Sequence, residues 1–566
     1  MRKNMQILLT VAAISVAALA VTPVAITKYK NRQNNISKTK NYIGLEHVTD
    51  SSVSNLYKVT YKKSKSIYDE TQSAYIYKEL QDLKANGYTV QKPLAAVNPF
   101  GTNDCSMYLA FQTEDAVSLE YTIHVDDKSI SDFTRKASIL SGDKTTTDHE
   151  YQLIGLIPGM ENEITLNLYA EDGSMYEQSV FTVNMPETDA GNNLQIETTD
   201  GNSRENLTSG LYAVFPTNTN QSEEGQDVVC YDNNGTLRSV IPIVYYRAAA
   251  LAEAGDNIFY AYNANRYALV SPLGQVLKTY YSSNYIYHHD YIYNEELNQM
   301  WILASDNTKE DAATEDIVIS IDLKNGEVKE LLDFTNLFPK LKELAITRDS
   351  SDGESEAGDL DWIHINSISL VNKDSAVFSS RELSAIIKIS GLTSNPVVDY
   401  IIADEFIFKG NDASEYLLNK VYTEKEFASQ YGQHYVQYIE DSSLPKGSYY
   451  LTMYNNNGAW SKSRPDIDWT QADNAGVGLI SKDGSVNSYF YKYLVNETDG
   501  TYELVDSFAV PYSGIMSNTQ AFDTNYISYS ACLHSFGEYD SKGNLIRSFN
   551  DGRTNFGYRV MKYNFW

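Results

Sequence analysis

The apolar and polar positions of this 566-residue chain change period three times, and each change predicts a different element. Arg2 and Lys3 precede an uncharged apolar run from Ile7 to Ile26. This is the pattern of an export signal. Ala18-Leu19-Ala20 offers a small-x-small cleavage site, yet the run is as long as a membrane-spanning helix, about 20 residues. Removable signal and retained anchor both fit, and either places the rest of the chain outside the cytoplasm. A polar stretch from Lys28 to about Asp50 reads as a tether. A helix is predicted near 65–86, because Ile76, Leu80 and Leu83 share one stripe and Gly87 stands where a terminator belongs.

From Val97 to Pro186 the period becomes two. Residues 118–125 (SLEYTIHV) and 163–169 (EITLNLY) read as strands with one buried face, separated by turns, the pattern of a small immunoglobulin-like β-sandwich. Gly191 to Arg204 is a linker by composition. Beyond it a unit of strand, tight turn and strand recurs, with almost no helical period. The turns are Asp232–Gly235, Ser271–Gly274, Asp322–Gly326, Ser390-Gly391, Lys482–Gly484 and Asp540–Gly543. Glycine supplies the positive φ of such turns, and Asp or Ser opens them. Residues 228–241 (VVCYDNNGTLRSVI), 267–280 (YALVSPLGQVLKTY), 318–331 (VISIDLKNGEVKEL) and 537–549 (GEYDSKGNLIRSF) look like copies of one hairpin. Six hairpins at unequal spacing predict a six-bladed β-propeller with insertions. The expected all-β organisation is a signal or anchor helix over 1–27, tether and helix over 28–90, sandwich over 91–190 and propeller over 205–566.

A formal net charge of −29 disfavours nucleic acid and anionic membranes as partners. It also means that a site for an anionic substrate must gather its cations locally. The 45 tyrosines suit half-buried strands and wet pocket walls. Cys105, Cys230 and Cys532 show no metal-type spacing, and a Cys230–Cys532 bridge between first and last blades is the one pairing the order allows.

Candidate chemistry lies in the histidines. His289, His364 and His434 occupy similar places at the start of three consecutive units, each ahead of a turn and an apolar strand. The first strand of a propeller blade lines the central channel, so equivalent residues converge near one end of the axis. His288 adjoins His289, and His124 alternates within a strand as a sandwich-surface residue. Arg381 follows Ser379 and Ser380 at the end of the strand after His364; a planar guanidinium grips two oxygens of a tetrahedral oxyanion at once. No Cys-x-Pro-x-Arg stands in the chain, which removes the formylglycine route of sulfatases, and no phosphate-binding Gly-x-x-x-x-Gly-Lys-[Ser/Thr] loop is present for a nucleotide donor. The acidic stretch Asp349–Asp361 lacks calcium-loop spacing and reads as a solvated loop. Three imidazoles with water are also a catalytic zinc set. Residue types alone therefore leave open a metal-dependent propeller hydrolase and a binding propeller without catalysis.

DWIHINSI at 361–368, SSRELSAIIKI at 379–389, HHD at 288–290 and GQHYV at 432–436 together resemble the bacterial aryl-sulfate sulfotransferase family. NPFGTNDCSMYLAFQT at 98–113 and LIGLIPGMENEITLNL at 153–168 resemble that family's N-terminal sandwich. The resemblance covers roughly residues 80–566. It implies a homodimer that moves sulfate from a phenolic sulfate ester to a phenol acceptor without nucleotide, metal or other cofactor. On the matching motifs it implies His434 as the nucleophile that becomes sulfated, with His289, His288, His364, Asn366 and Arg381 holding the sulfate and serving proton transfers. The closely spaced cysteine pair of some Gram-negative members is missing, so oxidative maturation does not apply here.

Overall fold

The computed structural model describes residues 43–49, 52–61, 66–188, 193–217, 227–349, 358–422, 426–472, 475–481, 484–551 and 557–564. The apolar run 7–26 and most of the tether lie outside the described residues. Among the described residues, no helix is long and apolar enough to cross a membrane.

The predicted sandwich forms around one strand of 19 residues, Ser106–His124. Its first half pairs with Thr146–Ile154 and its second half with Glu161–Tyr169, the register breaking between Gln112 and Val117. The break lets a single strand serve both layers, and its alternating residues Met107, Leu109, Leu119 and Tyr121 enter the same core as Leu153, Leu166 and Val183. His124 stands on the sandwich surface in an ion pair with Asp132 at 2.7 Å.

The predicted helix runs Glu70–Lys84. Asp69 caps it by accepting from the Thr71 and Gln72 N–H groups at 2.8 and 3.1 Å. Ser73, Tyr75, Ile76 and Leu80 form its buried face. The helix covers the outermost strand of blade 2, Val276–Tyr281: Ser73 Oγ accepts from Val276 N, and Glu70 Oε1 from Thr279 N. An exposed strand edge is thereby closed to further pairing.

Six sheets follow in the order of a propeller, each meandering from an inner to an outer strand. Closure is double. The C-terminal strand Gly557–Tyr563 is the innermost strand of blade 1, paired to Leu211–Pro216, and Glu197–Asp200 is added outside blade 6 beside Leu545–Asn550. The outer hairpins turn where the sequence pattern placed them at 232–235, 271–274, 322–326, 390–391 and 540–543. Blade 5 differs: its outer hairpin joins Ser488–Asn496 to Thr501–Val510, and the turn expected at Lys482–Gly484 comes before both strands in the sequence, with residues 482 and 483 outside the described residues. An Asp-Gly pair flanked by polar residues is a turn signal wherever it stands, and the pattern could not tell an inserted loop from a blade edge. Cys230 and Cys532 are buried free thiols, so the bridge the sequence allowed is not formed.

Blades 1 and 6 are locked by a buried ion pair. Lys562 Nζ lies 2.8 Å from Glu538 Oε2 with both side chains wholly inaccessible, and Glu538 also accepts from Thr208 N and Asn525 Nδ2 at 2.6 and 2.7 Å. Burial pulls Lys562 down to about 8 against the attraction of Glu538. Glu538→Ala is expected to destabilise the propeller by about 3–5 kcal/mol, because removing one member leaves a buried charge unpaired. Thermal melting followed by circular dichroism checks this; an unchanged midpoint would show that the closure does not depend on the pair.

Candidate active site

Inner strands from consecutive blades carry the three spaced histidines, and the backbone is strained where they sit. His289, His364 and Tyr435, which follows His434, adopt φ of +52°, +49° and +55°. Two of these residues coincide with a skipped ladder position, between Tyr287 and Tyr291 and between His434 and Gln437, and His364 stands just before the strand Ile365–Asn372, whose register shifts between Ile365 and Ser367. Non-glycine residues in this region cost roughly 1–3 kcal/mol each and persist where the surroundings enforce them. The bulges turn consecutive side chains toward the axis that an ordinary strand would alternate away.

The structure brings His288, His289, His364, Arg381, Asn366 and His434 into the buried interior. The His289 and His364 rings meet edge-on with centroids 4.6 Å apart. His288 Nδ1 lies 3.0 Å from His289 Nδ1. His364 Nδ1 is 2.6 Å from both Asp361 Oδ2 and Glu315 Oε2. Arg381 joins the same group: its backbone N–H donates to His364 O at 3.1 Å, Nη2 stands 4.0 Å from Asp361, and its guanidinium pairs with Glu382 and lies 5.2 Å from the Trp460 ring centre. Glu382 is itself held by Ser461 Oγ, Lys462 N and Ser463 N.

His434 is fixed from blade 4 and from the end of the next strand of its own blade. Gln433 donates through Nε2 to Ser379 Oγ, Ser380 O and Ala385 O, and its carbonyl accepts from Asn366 Nδ2 at 2.8 Å. Asn366 thus commits one amide N–H to positioning the segment before His434. His434 Nδ1 faces two acceptors, Asn456 Oδ1 at 2.8 Å and Gly432 O at 3.0 Å. Asn456 cannot turn its amide, because its Nδ2 donates to Ser513 O and Met516 O. The ring hydrogen therefore belongs on Nδ1, and Nε2 keeps the lone pair.

Electrostatics separates these imidazoles. Burial, reinforced by the positive charges of His364, Arg381 and Arg559, pushes His434 down to about 3 against the Asn456 hydrogen bond, so it is neutral at ordinary pH. Burial opposes the charge on His364 too, but the Asp361 and Glu315 carboxylates prevail and raise it to about 9. Burial lowers His288 to about 4, and His289 goes down for the same reason. A neutral imidazole beside a protonated one is the arrangement in which one ring attacks and the other donates a proton.

Several functional candidates were not visible in the sequence. Asp361 was assigned to a solvated acidic loop; it is buried and bonded to Arg348 and His364, because its neighbour Trp362 is drawn into the blade 3–blade 4 core. Glu315, Asn456 and Arg559 carried no motif. Arg559, on the closing strand of blade 1, pairs with Asp290 at 2.7 Å, donates to Asn366 O at 3.0 Å and lies over the Tyr435 and Tyr558 rings. With Arg247, which packs on Tyr246 and Tyr558, it gathers positive charge at the axis of an acidic protein. His534 instead lies 3.7 Å from Asp551 in blade 6.

Two groupings have the ligand types for a metal ion: His288, His289 and Glu315, and Glu315, Asp361 and His364. In the second, Nδ1 of His364 lies 2.6 Å from both carboxylates, with its hydrogen bond going to Asp361, contacts that an ion would have to replace. Among the described residues, His289, His364 and His434 do not form a three-histidine ligand set.

The molecule is a six-bladed propeller preceded by an immunoglobulin-like sandwich, with imidazoles, a guanidinium and carboxylates gathered in its buried interior. The chain belongs to the arylsulfotransferase family: the model for arylsulfotransferase (ASST) matches residues 196–559, and that for the arylsulfotransferase Ig-like domain matches 94–186. The family supports aryl sulfotransferase activity in the broad sense. No match was found among curated proteins. Solved structures with similar chains include the Cps50 (Swd1) β-propeller domain of Myceliophteria thermophila, at 10% identity and TM-score 0.32 over 63% of this chain and 91% of that one. Apo AztD from Citrobacter koseri aligns at 9% identity and TM-score 0.27, over 79% and 99%. An auxiliary nutrient binding protein from Bacteroides thetaiotaomicron aligns at 7% identity and TM-score 0.28, over 78% and 93%. Likenesses this distant carry no functional argument.

Proposed function

We propose that the protein transfers a sulfuryl group between phenols by a ping-pong cycle through N-sulfated His434. The observation that carries this reading is the hydrogen bonding of His434 Nδ1 to Asn456 and Gly432, which leaves Nε2 with its lone pair, alongside a His364 held between the carboxylates of Asp361 and Glu315. In the first half-reaction Nε2 of His434 attacks sulfur, a nitrogen–sulfur bond forms, and the bond from sulfur to the aryl oxygen breaks. His364 gives its Nε2 proton to the departing phenolate; its acidity, about 9, is close to that of a phenol, about 10. The second half-reaction runs the same steps backwards with a new phenol, whose proton returns to His364. Arg381 spreads charge over the sulfuryl oxygens, with Asn366 and His289 beside them. Tyr246, Tyr435, Tyr558 and Trp460, which contact these cations, supply aromatic walls against water. The uncharged run 7–26 behind Arg2 and Lys3 supports a location outside the cytoplasm.

The test is an acceptor-dependent assay. With 4-nitrophenyl sulfate alone the protein is expected to release nitrophenol slowly or once; with phenol added, turnover and phenyl sulfate should appear. Exhaustive chelation should leave the rate unchanged, whereas loss of activity restored by a divalent ion would favour a metal-dependent hydrolase. Because His364 acts as an acid, the rate should hold below pH 9 and fall as pH rises through it.

A further inference from the structure

Glu315 is a strained residue with its carboxylate between two of the assembled imidazoles. It adopts φ +57° in the connection between the strands Gln299–Asp306 and Ile317–Asp322 of blade 3. Its Oε2 is 2.6 Å from His364 Nδ1 and its Oε1 3.6 Å from His289 Nδ1, so one carboxylate spans a histidine of blade 3 and a histidine of blade 4. Its backbone is committed to the same seam. Its N–H donates to Ser305 Oγ at 2.9 Å, and its carbonyl accepts from the N–H of Ile365, the residue after His364, at 3.1 Å. The next residue, buried Asp316, accepts from Trp362 Nε1 at 3.1 Å and pairs with Lys309 at 3.0 Å. Two successive acidic residues thus clasp the segment 361–365 at three points. A left-handed glutamate has no local reason to exist, and the surroundings that enforce it all belong to this clasp.

We propose that Glu315 is a positioning residue of the transfer site, a single carboxylate that orients His289 and His364 together across the seam between blades 3 and 4. The inference rests on the reading above that these two rings act on the sulfuryl group and the phenol proton. Asp361 cannot play this part alone, since it touches His364 but is also drawn to Arg348 and, at 4.0 Å, to Arg381. The charged groups facing His364 are Asp361, Glu315, Arg381, Glu382 and His289, and of these carboxylates Glu315 is the one in contact with both rings. A carboxylate on Nδ1 fixes the tautomer and plane of an imidazole and stabilises its cation, the role that outer carboxylates play around catalytic histidines.

The His364 Nδ1 hydrogen bond goes to Asp361, so Glu315 acts on the two rings through its charge and contact; Glu315→Gln keeps the length but removes the charge, and Glu315→Ala removes both. In the full chain, kcat is expected to fall about 10- to 100-fold in Glu315→Gln, with donor KM within about twofold of the parent. The alkaline limb of the rate should move to lower pH, because a His364 with one carboxylate fewer loses its proton sooner. Nitrogen-15 spectra of histidine-labelled protein should show His364 titrating at lower pH and the His289 signal shifted. This readout needs no turnover, so it decides the role of Glu315 even if the parent protein transfers no sulfuryl group, the result that would instead sink the functional reading. Three outcomes would overturn the proposal: unchanged titration of His364, a loss of melting temperature with unchanged histidine signals, or a stoichiometric divalent ion in the parent that Glu315→Gln lacks.

Discussion

Replacing His434 by alanine is expected to abolish sulfuryl transfer, lowering kcat by about 10³-fold or more while leaving the fold intact. The size of the effect follows from what the ring supplies. A sulfate ester attacked without a bound nucleophile must be met by the acceptor phenol itself, which at neutral pH holds its proton. His434 avoids this: its Nδ1 hydrogen is taken up by Asn456 and Gly432, its Nε2 lone pair is oriented, and burial beside Arg381 and Arg559 keeps it from protonating above about pH 3. Activity should therefore show no acid limb from this group between pH 5 and 8. The fold should survive because its anchors are neighbours: Gln433 is bonded into blade 4 and Asn456 into the connection between blades 5 and 6 whether or not the ring is present. The parent protein, given donor alone, should gain the mass of one sulfuryl group on the peptide containing residue 434, and the variant should not. Full transfer by His434→Ala, with or without that adduct elsewhere, would remove the residue from the nucleophile's role.

The sequence made the propeller readable because its outer hairpins are governed by local rules. Asp-x-x-Gly turns such as 232–235 and 540–543, flanked by period-two strands, need no tertiary information to be recognised. The same locality explains why the fifth turn was expected at Lys482–Gly484, whereas the outer hairpin of blade 5 turns between Asn496 and Thr501. The histidines were picked out through their recurrence at the head of successive units, and Arg381 through its place after Ser379 and Ser380 at the end of the strand after His364. Their partners were not. Glu315 and Asp361 stand in connections whose polarity looks solvated, and only the packing of Trp362 and the seam between blades turns those carboxylates inward. Arg559 reaches the axis because the last strand of the chain closes the first blade, a pairing that spans the whole propeller and leaves no mark on local pattern. The strain at Glu315 was equally hidden, because positive φ is announced in sequence by glycine, asparagine, aspartate or histidine and glutamate is none of these.

Arg381→Lys should lower kcat/KM by about 10²- to 10³-fold, equivalent to about 2.7–4 kcal/mol of transition-state stabilisation, without lowering the melting temperature. Lysine preserves the unit charge, so a role limited to attracting the anion would survive the change nearly intact. The geometry argues for more. Arg381 is held by its backbone to His364 O, by its guanidinium to Glu382 and by the face of Trp460, three restraints that fix the plane of the fork rather than its charge. A planar fork held this way presents parallel N–H groups to two sulfuryl oxygens, and an ammonium on a flexible stem cannot reproduce that pairing. Stability should be spared because Glu382 keeps Ser461 Oγ, Lys462 N and Ser463 N as donors when the guanidinium is gone, so no buried carboxylate is left without partners. Burial tends to raise Glu382, yet Arg381 and His364 bring it down to about 2, so it remains an anion that orients whichever cation stands beside it. The discriminating measurement is kcat/KM against donors of increasing leaving-group pKa. A preorganised fork lost in Arg381→Lys predicts that the penalty persists across the series, whereas a rate within about threefold of the parent would mean that Arg381 serves Glu382 and the Trp460 loop rather than the transferring group.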